Sequence, residues 1–96
     1  MKIGMIGLGR MGSNMVRRIL EAGHEAVVYD VDADAVKAIA KEGATGVDSL
    51  EELVEALPSP RVVWMMLPVA FVDETIGKLE PLLEENDILV DGGNSK

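Results

Sequence analysis

The chain has 96 residues, of which 48% are hydrophobic and 27% are charged, and these values are typical of one small folded domain. Its formal net charge of −8 argues against nucleic-acid binding, which needs a basic surface. The sequence contains no cysteine, which excludes disulfides and thiolate metal sites and favours a reducing, cytoplasmic setting. No apolar run is long enough to cross a membrane, and the first apolar run begins too early for a signal peptide.

Apolar runs alternate with segments of helical periodicity, which is the pattern of βαβ units around a parallel sheet. Strands are predicted at residues 2–8, 26–30, 45–47, 62–67 and 88–91. Helices are predicted at residues 10–22, 33–42 and 72–79, with one opened by the capping box at residues 49–52 and a short turn through residue 85. Gly23 and Gly43 are expected to end the first two helices. Right-handed crossovers predict the strand order 3-2-1-4-5 in a Rossmann-type, three-layer α/β domain over residues 1–96.

A glycine motif, Gly7-Leu8-Gly9-Arg10-Met11-Gly12, lies between the first predicted strand and the first predicted helix. In this setting Gly7 permits a tight turn, Gly9 lets the backbone approach a pyrophosphate, and Gly12 lets the helix pack closely on the strand. The free N–H groups at the helix start are predicted to hold the phosphates. A glycine-rich turn without a ligand is the alternative, but the flanking strand and helix favour a dinucleotide site.

Asp30 ends the second predicted strand, about 20 residues beyond the glycine motif, where such sites carry an acidic residue. It is predicted to accept hydrogen bonds from the ribose hydroxyls of the adenosine. Residues 31–34 contain no Arg or Lys, so a 2′-phosphate would meet a carboxylate and no guanidinium. The sequence therefore predicts NAD over NADP, while helix capping is the preferred interpretation of Asp32 and Asp34.

Several other residues are less specific. Arg10 is as consistent with a solvated side chain as with a phosphate ligand. The segment Gly92-Gly93-Asn94-Ser95 follows the last strand at the expected ligand edge, where a plain turn and a ligand contact are both open. Pro68-Val69-Ala70 follows the fourth strand at the same edge without distinctive chemistry. We interpret His24 as structural, and Trp64 and the methionines outside the glycine motif as core; no metal site is predicted.

Six short segments of the chain together form a recognisable pattern: Ile6-Gly7-Leu8-Gly9-Arg10-Met11-Gly12, Gly23-His24, Tyr29-Asp30, Ser49-Leu50-Glu51-Glu52-Leu53, Pro60-Arg61-Val62-Val63-Trp64 and Asp91-Gly92-Gly93-Asn94-Ser95. They resemble the N-terminal coenzyme domain of 6-phosphogluconate dehydrogenases, and the resemblance covers essentially the whole chain. The first segment is shared by the wider β-hydroxyacid dehydrogenase superfamily. The last is much more particular to the 6-phosphogluconate enzymes.

The resemblance implies an NAD-using enzyme, because Tyr29-Asp30-Val31-Asp32 replaces the Asn-Arg-Thr or Asn-Arg-Ser typical of NADP-using members. Met11 would lie near the nicotinamide, and Asn94 would face both the nicotinamide and the sugar-acid substrate. Val69-Ala70 departs from the Ala-Gly usual in its loop. The expected cofactor contacts are Gly7, Leu8, Gly9, Arg10, Met11, Gly12, Asp30, Leu67, Pro68, Val69, Ala70 and Asn94.

The implied reaction is oxidation of 6-phosphogluconate with hydride transfer to the nicotinamide, then decarboxylation to ribulose 5-phosphate, a step of the pentose phosphate pathway. The family's acid/base lysine and its proton-donating glutamic acid lie downstream, in a helical substrate domain absent from this chain. We therefore expect no catalytic residue here and little turnover. The alternatives are a stand-alone NAD-binding sensor or interaction module, or the cofactor domain of another β-hydroxyacid dehydrogenase. Ending at Lys96 is expected to expose the apolar edge of the last strand and to promote self-association.

Overall fold

A parallel sheet of five strands carries the described part of the chain, residues 1–92 of a computed structural model. The strands are β1 (Lys2–Ile6), β2 (Glu25–Tyr29), β3 (Thr45–Gly46), β4 (Val62–Met65) and β5 (Ile88–Asp91). The helices are α1 (Arg10–Glu21), α2 (Ala33–Ala40), α3 (Leu50–Glu55) and α4 (Val69–Leu79). The observed order β3-β2-β1-β4-β5, with every pair parallel, confirms the predicted fold.

The register of the central strands brings their carboxyl ends to the same level. Ile6, the last residue of β1, pairs with Tyr29 of β2 on one side and with Met65 of β4 on the other. The glycine motif, Asp30 and the segment after β4 therefore leave the sheet side by side. In open parallel sheets this edge, at the point where the strand order reverses, is where ligands bind.

Apolar residues cover both faces of the sheet. Val27, Val63 and Met65 belong to a core shared with α3 and α4, whereas Val28 belongs to a second core shared with α1 and α2. Trp64 packs half-buried against that second core, because successive strand residues point to opposite faces. The prediction that β4 is covered on both faces is confirmed. The prediction that the methionines outside the glycine motif belong to the core is wrong for Met1, which is exposed.

The predicted caps and left-handed glycines are present near the helix ends, although α1 and α2 end at Glu21 and Ala40, one and two residues before their predicted ends. Gly23 and Gly43 adopt positive φ angles of 86° and 119°, the left-handed conformation expected where a helix stops. The Asp32 carboxylate caps α2 by accepting the N–H two residues on, at 3.0 Å. Ser49 caps α3 by accepting the Glu52 N–H at 3.1 Å. Capping is thus the role that the structure gives Asp32.

The largest departure from the predicted elements is the start of α4. The helix begins at Val69 rather than residue 72, and Pro68 is its N-cap, so residues 69 and 70 form a first helical turn instead of a loop. The fixed φ of proline, here −58°, suits this position. β1 and β4 end at Ile6 and Met65, each two residues before its predicted end.

β5 is an edge strand among the described residues, and its exposure is uneven. Ile88 is 54% exposed, while Leu89 and Val90 are half-buried. An apolar edge is therefore present in part, and self-association through it stays a prediction. No helix within residues 1–92 is both long enough and apolar enough to cross a membrane.

Asp87 fixes the turn before β5, at the end of the sheet opposite the ligand edge. Its side chain is fully buried. It accepts hydrogen bonds from the backbone N–H groups of Arg61 at 2.6 Å and Glu84 at 2.7 Å, and it pairs with the Arg61 guanidinium at 3.2 Å. The backbone hydrogen bonds from Arg61 and Glu84, followed by the guanidinium, hold the pKa of Asp87 below its ordinary value.

This arrangement predicts acid sensitivity. Because the folded-state pKa of Asp87 lies below its unfolded value, its stabilisation is complete above the unfolded pKa and disappears as pH falls through the folded pKa. We expect Asp87→Asn to lower the free energy of unfolding at about pH 7, with the deficit shrinking as the pH falls below the ordinary aspartate pKa of 3.8. Urea unfolding of both proteins across this range measures the deficit, with Asp73→Asn on the exposed surface of α4 as the control. A deficit that does not change with pH would contradict the assignment.

Gly77 lies in the interior of α4, and apart from the neighbouring backbone of its own helix no atom lies within 4 Å of the position where a Cβ would be. We expect Gly77→Ala to raise the free energy of unfolding by about 0.5–1 kcal/mol, because alanine loses less backbone entropy in a helix. Gly46→Ala is the contrasting variant, since its Cβ would come within 2.7 Å of Cγ1 of Val36. The midpoint of thermal unfolding should rise for Gly77→Ala and fall for Gly46→Ala. A lower midpoint for Gly77→Ala would contradict the open space described at this position.

Candidate functional site

A cleft of about 600 Å³ opens at the carboxyl edge of the sheet. The glycine motif forms one side, and Asp30 with Val31 forms the rim beyond β2. The opposite side comes from Leu67, Pro68 and one face of α4. The cleft therefore lies at the edge predicted from the strand order.

The three glycines of the motif differ in what surrounds them. A Cβ on Gly7, whose φ is 99°, would collide with the carbonyl oxygen of Met66, and a Cβ on Gly12 would collide with the carbonyl oxygen of Gly7. The tight turn at Gly7 and the close helix packing at Gly12 are thus confirmed. Gly9 has no atom within 4 Å of the corresponding position and borders the cleft. Its missing side chain leaves space that the protein itself does not fill.

The start of α1 presents free backbone N–H groups at the cleft. Gly9 is the N-cap, no side chain caps the helix, and its first turn contains no acidic residue. The first backbone bond of the helix runs from the Ser13 N–H to the Gly9 carbonyl at 2.9 Å, so the N–H groups of residues 10–12 precede it. The Ser13 hydroxyl donates to the Leu8 carbonyl at 2.9 Å, which holds the loop in place. Together with the helix dipole, these groups suit an anion.

Asp30 is held between the glycine motif and the loop after β2. One carboxylate oxygen accepts the Leu8 N–H at 2.6 Å, and the other accepts the Asp32 N–H at 2.8 Å. Each oxygen retains acceptor capacity, because a carboxylate offers about four lone-pair sites. The half-buried carboxylate is therefore oriented at the cleft rim and still able to accept hydroxyl donors.

Large apolar side chains are exposed around this cleft. Val31 is 92% exposed, Met11 66% and Phe71 55%, and all three line it. Exposed apolar groups gathered at one concave site, with a few polar groups among them, are typical of a small-molecule pocket. Phe71 was not predicted as a site residue, because α4 was expected to begin at residue 72.

The cleft-facing side of α4 continues with polar groups. Glu74, Thr75 and Lys78 follow Phe71 at helical spacing and line the same cleft. Lys78 pairs with Glu74 at 3.3 Å, and the Thr75 hydroxyl donates to the Phe71 carbonyl at 2.8 Å. None of these three was singled out from the sequence. With the helix start placed correctly, their spacing of three and four residues would have revealed a shared face.

The structure brings some expected contact residues to the cleft and leaves others outside it. Leu67 and Pro68 line it, but the expected contacts Val69 and Ala70 are exposed in the first turn of α4 and are not part of its wall. Leu8 is buried and contributes its backbone, as described above. The Arg10 side chain is exposed, is not part of the cleft wall and makes no ion pair within residues 1–92.

Two further residues bear on the expected site. Asn94 lies outside the described residues. The Nδ1 atom of His24 lies 3.2 Å from the amino group of Met1, beside the first residues of β1 and β2 and therefore at the sheet end opposite the cleft. In the described part of the chain, no three His, Cys, Asp or Glu side chains are placed to hold a metal ion.

Comparison with known proteins places this chain in a family. Residues 2–96 match the family model described as the NAD binding domain of 6-phosphogluconate dehydrogenase. A Haloferax volcanii protein described as 6-phosphogluconate dehydrogenase, NAD(+)-dependent, decarboxylating is 48% identical over 96 residues, covering 99% of this chain and 32% of that protein. A Bacillus subtilis protein of the same description is 37% identical, covering 97% of this chain and 21% of that protein.

A solved structure extends the likeness to three dimensions. Plasmodium falciparum 6-phosphogluconate dehydrogenase, described in its apo form and in complexes with its cofactor NADP+ and its substrate 6-phosphogluconate, matches with a TM-score of 0.90 and 32% identity. The match covers 98% of this chain and 22% of that one. The chain thus spans about a fifth to a third of the relatives it resembles. It belongs to the family of NAD-binding domains of 6-phosphogluconate dehydrogenase.

Proposed function

We propose that this chain binds NAD in the cleft and disfavours NADP. The observation that carries the proposal is the Asp30 carboxylate, fixed at the cleft rim by the Leu8 N–H. A fixed carboxylate suits the two ribose hydroxyls of NAD, whereas a 2′-phosphate would add like charge at the same place. The Haloferax and Bacillus relatives described as NAD(+)-dependent support this choice. The Plasmodium enzyme is described in complex with NADP+, so the fold alone does not decide between NAD and NADP.

The remaining contacts follow from the chemistry of the cleft walls. The free N–H groups of residues 10–12 and the open space at Gly9 suit the pyrophosphate. The exposed faces of Val31 and Phe71 suit the adenine ring, and Leu67 and Pro68 extend the apolar wall. We assign Met11 to the nicotinamide side on the strength of the family resemblance.

Calorimetric titration with NAD+ and NADP+ tests the proposal, because the two ligands differ only in the 2′-phosphate. We expect the 96-residue chain to bind NAD+ about tenfold or more tightly than NADP+. Tighter binding of NADP+ would overturn the selectivity. Binding of neither nucleotide would overturn the cofactor site itself.

We further propose that this domain supplies the cofactor to a 6-phosphogluconate dehydrogenase whose catalytic groups come from outside the described residues. General acid–base catalysis needs a proton-transferring group within hydrogen-bond reach of the reacting atoms. Within residues 1–92, Asp30 is assigned to the ribose hydroxyls, Glu74 and Lys78 pair with each other at 3.3 Å, and His24 lies at the opposite end of the sheet. We expect no NADH formation from NAD+ and 6-phosphogluconate by the 96-residue chain. Activity of the chain alone would contradict this division of roles.

A further inference from the structure

A second, smaller cavity of about 140 Å³ adjoins the cleft behind Asp30. The two cavities share Tyr29, Asp30 and Val31. The rest of the smaller cavity is lined by one face of α2 and by the segment after β3. Any group attached to a ribose that sits on Asp30 is therefore close to this second space.

Lys37 is the one positively charged residue among those that line the small cavity. Ala33, Val36 and Lys37 are spaced by three and four residues, so α2 presents all three to the same side. Lys37 makes no ion pair within residues 1–92, and its ammonium group is uncommitted. Lys37 lies beyond residues 31–34, in which no cation was found, and α2 brings it back toward the end of β2 one helical turn later.

The charges around the small cavity are unequal. Asp30 and Asp48 contribute two carboxylates against the one ammonium of Lys37. A phosphomonoester carries a charge of about −1.5 to −2 near neutral pH and would be repelled while Asp30 is present. With Asp30 neutralised, Asp48 would be the one carboxylate left among the residues that line the small cavity with Lys37.

We propose that Lys37 is a latent binding group for the 2′-phosphate of an adenosine ribose and that Asp30 masks it. This inference rests on the proposed function, because it needs the ribose to lie on Asp30. NAD selectivity then comes from one carboxylate placed over a site that already contains a cation. A single neutral replacement of Asp30 is sufficient to turn the site toward NADP.

The test compares NAD+ and NADP+ affinities by calorimetry in three variants of the 96-residue chain. Asp30→Ser should raise the NADP+ affinity about tenfold over the unmodified chain. Adding Lys37→Ala should remove at least about fivefold of that gain and leave NAD+ affinity within about twofold. Adding Lys41→Ala instead is the matched control, because Lys41 lies at the end of α2 and lines neither cavity. This control should keep the gain, and added salt should weaken it.

In these three variants, any of three results overturns the inference. The first is that Asp30→Ser binds NADP+ equally well with and without the Lys37 side chain. The second is that the Lys37 and Lys41 replacements lower the NADP+ affinity equally. The third is that neutralising Asp30 brings no gain in NADP+ affinity. If Asp30→Ser unfolds, Asp30→Asn carries the same comparison. Lys37→Glu in the unmodified background should also weaken NADP+ relative to NAD+ more than Lys41→Glu does, and an equal effect overturns the inference. NAD+ binding by the unmodified chain separates these failures from failure of the proposed function.

Discussion

Gly9→Ala is expected to weaken NAD+ binding by about 10–100-fold while leaving the stability of the fold unchanged. The φ of Gly9 is −65°, which any residue adopts, and no atom lies within 4 Å of the added Cβ. The methyl group therefore enters the cleft, where the pyrophosphate is proposed to approach the backbone. Displacing the phosphate from one charge-assisted hydrogen bond costs about 1.5–3 kcal/mol, which sets the expected range.

Gly12→Ala is the contrasting variant in the same motif. Its Cβ would collide with the carbonyl oxygen of Gly7, which forces α1 away from the end of β1. Overpacking of this kind costs about 1–3 kcal/mol, so we expect this protein to lose both stability and NAD+ binding. Urea unfolding together with NAD+ titration separates the two variants. Unchanged NAD+ affinity in Gly9→Ala would show that no ligand approaches this part of the loop.

Asp30→Ala is expected to lower NAD+ affinity by about 10–100-fold and to abolish the preference for NAD+ over NADP+. Removing the carboxylate deletes the acceptors proposed for the ribose hydroxyls, and hydrogen bonds to charged groups are worth about 1.5–3 kcal/mol each. It also frees the Leu8 N–H, which Asp30 holds at 2.6 Å. Parallel titrations with NAD+ and NADP+ measure both effects.

Asp34→Ala serves as the matched control for charge. Asp34 lies in the first turn of α2 and lines neither cavity. Its removal changes the net charge by the same amount as the Asp30 variant, so long-range electrostatic effects should be shared. We expect its NAD+ affinity and its NAD+ preference to match those of the unmodified chain. An equal fall in NAD+ and NADP+ affinity for Asp30→Ala would show that this carboxylate does not discriminate between the cofactors.

The fold followed from local patterns that agree with one another. The apolar run at residues 62–67, the glycine stops at Gly23 and Gly43, and the alternation of strands with helices allow few topologies once crossovers are right-handed. These local patterns did not predict the first residue of α4. Proline precedes loops and helices alike, Pro68 caps α4 without a side-chain hydrogen bond, and packing of the buried Val72 and Leu79 stabilises the helix.

The candidate site was predictable only where its residues are close in sequence. The glycine motif and Asp30 could be found because each follows a recognisable strand. The bond between the Leu8 N–H and Asp30 depends on the register of β1 against β2, which a sequence does not reveal. Lys37 lies at the small cavity because of the direction of α2, and Phe71 lies at the cleft because α4 begins before it. Both features depend on tertiary packing.

The most direct test of the NAD site is an NMR titration of the isotope-labelled 96-residue chain with NAD+. A saturable change at a single site is expected, with the largest shifts in the backbone N–H signals of Gly9, Met11, Asp30 and Phe71, which line the cleft. The signals of His24 and Asp87, at the other end of the sheet, should move little. Shifts concentrated at that far end, or no saturable shift in the glycine motif, would contradict the account.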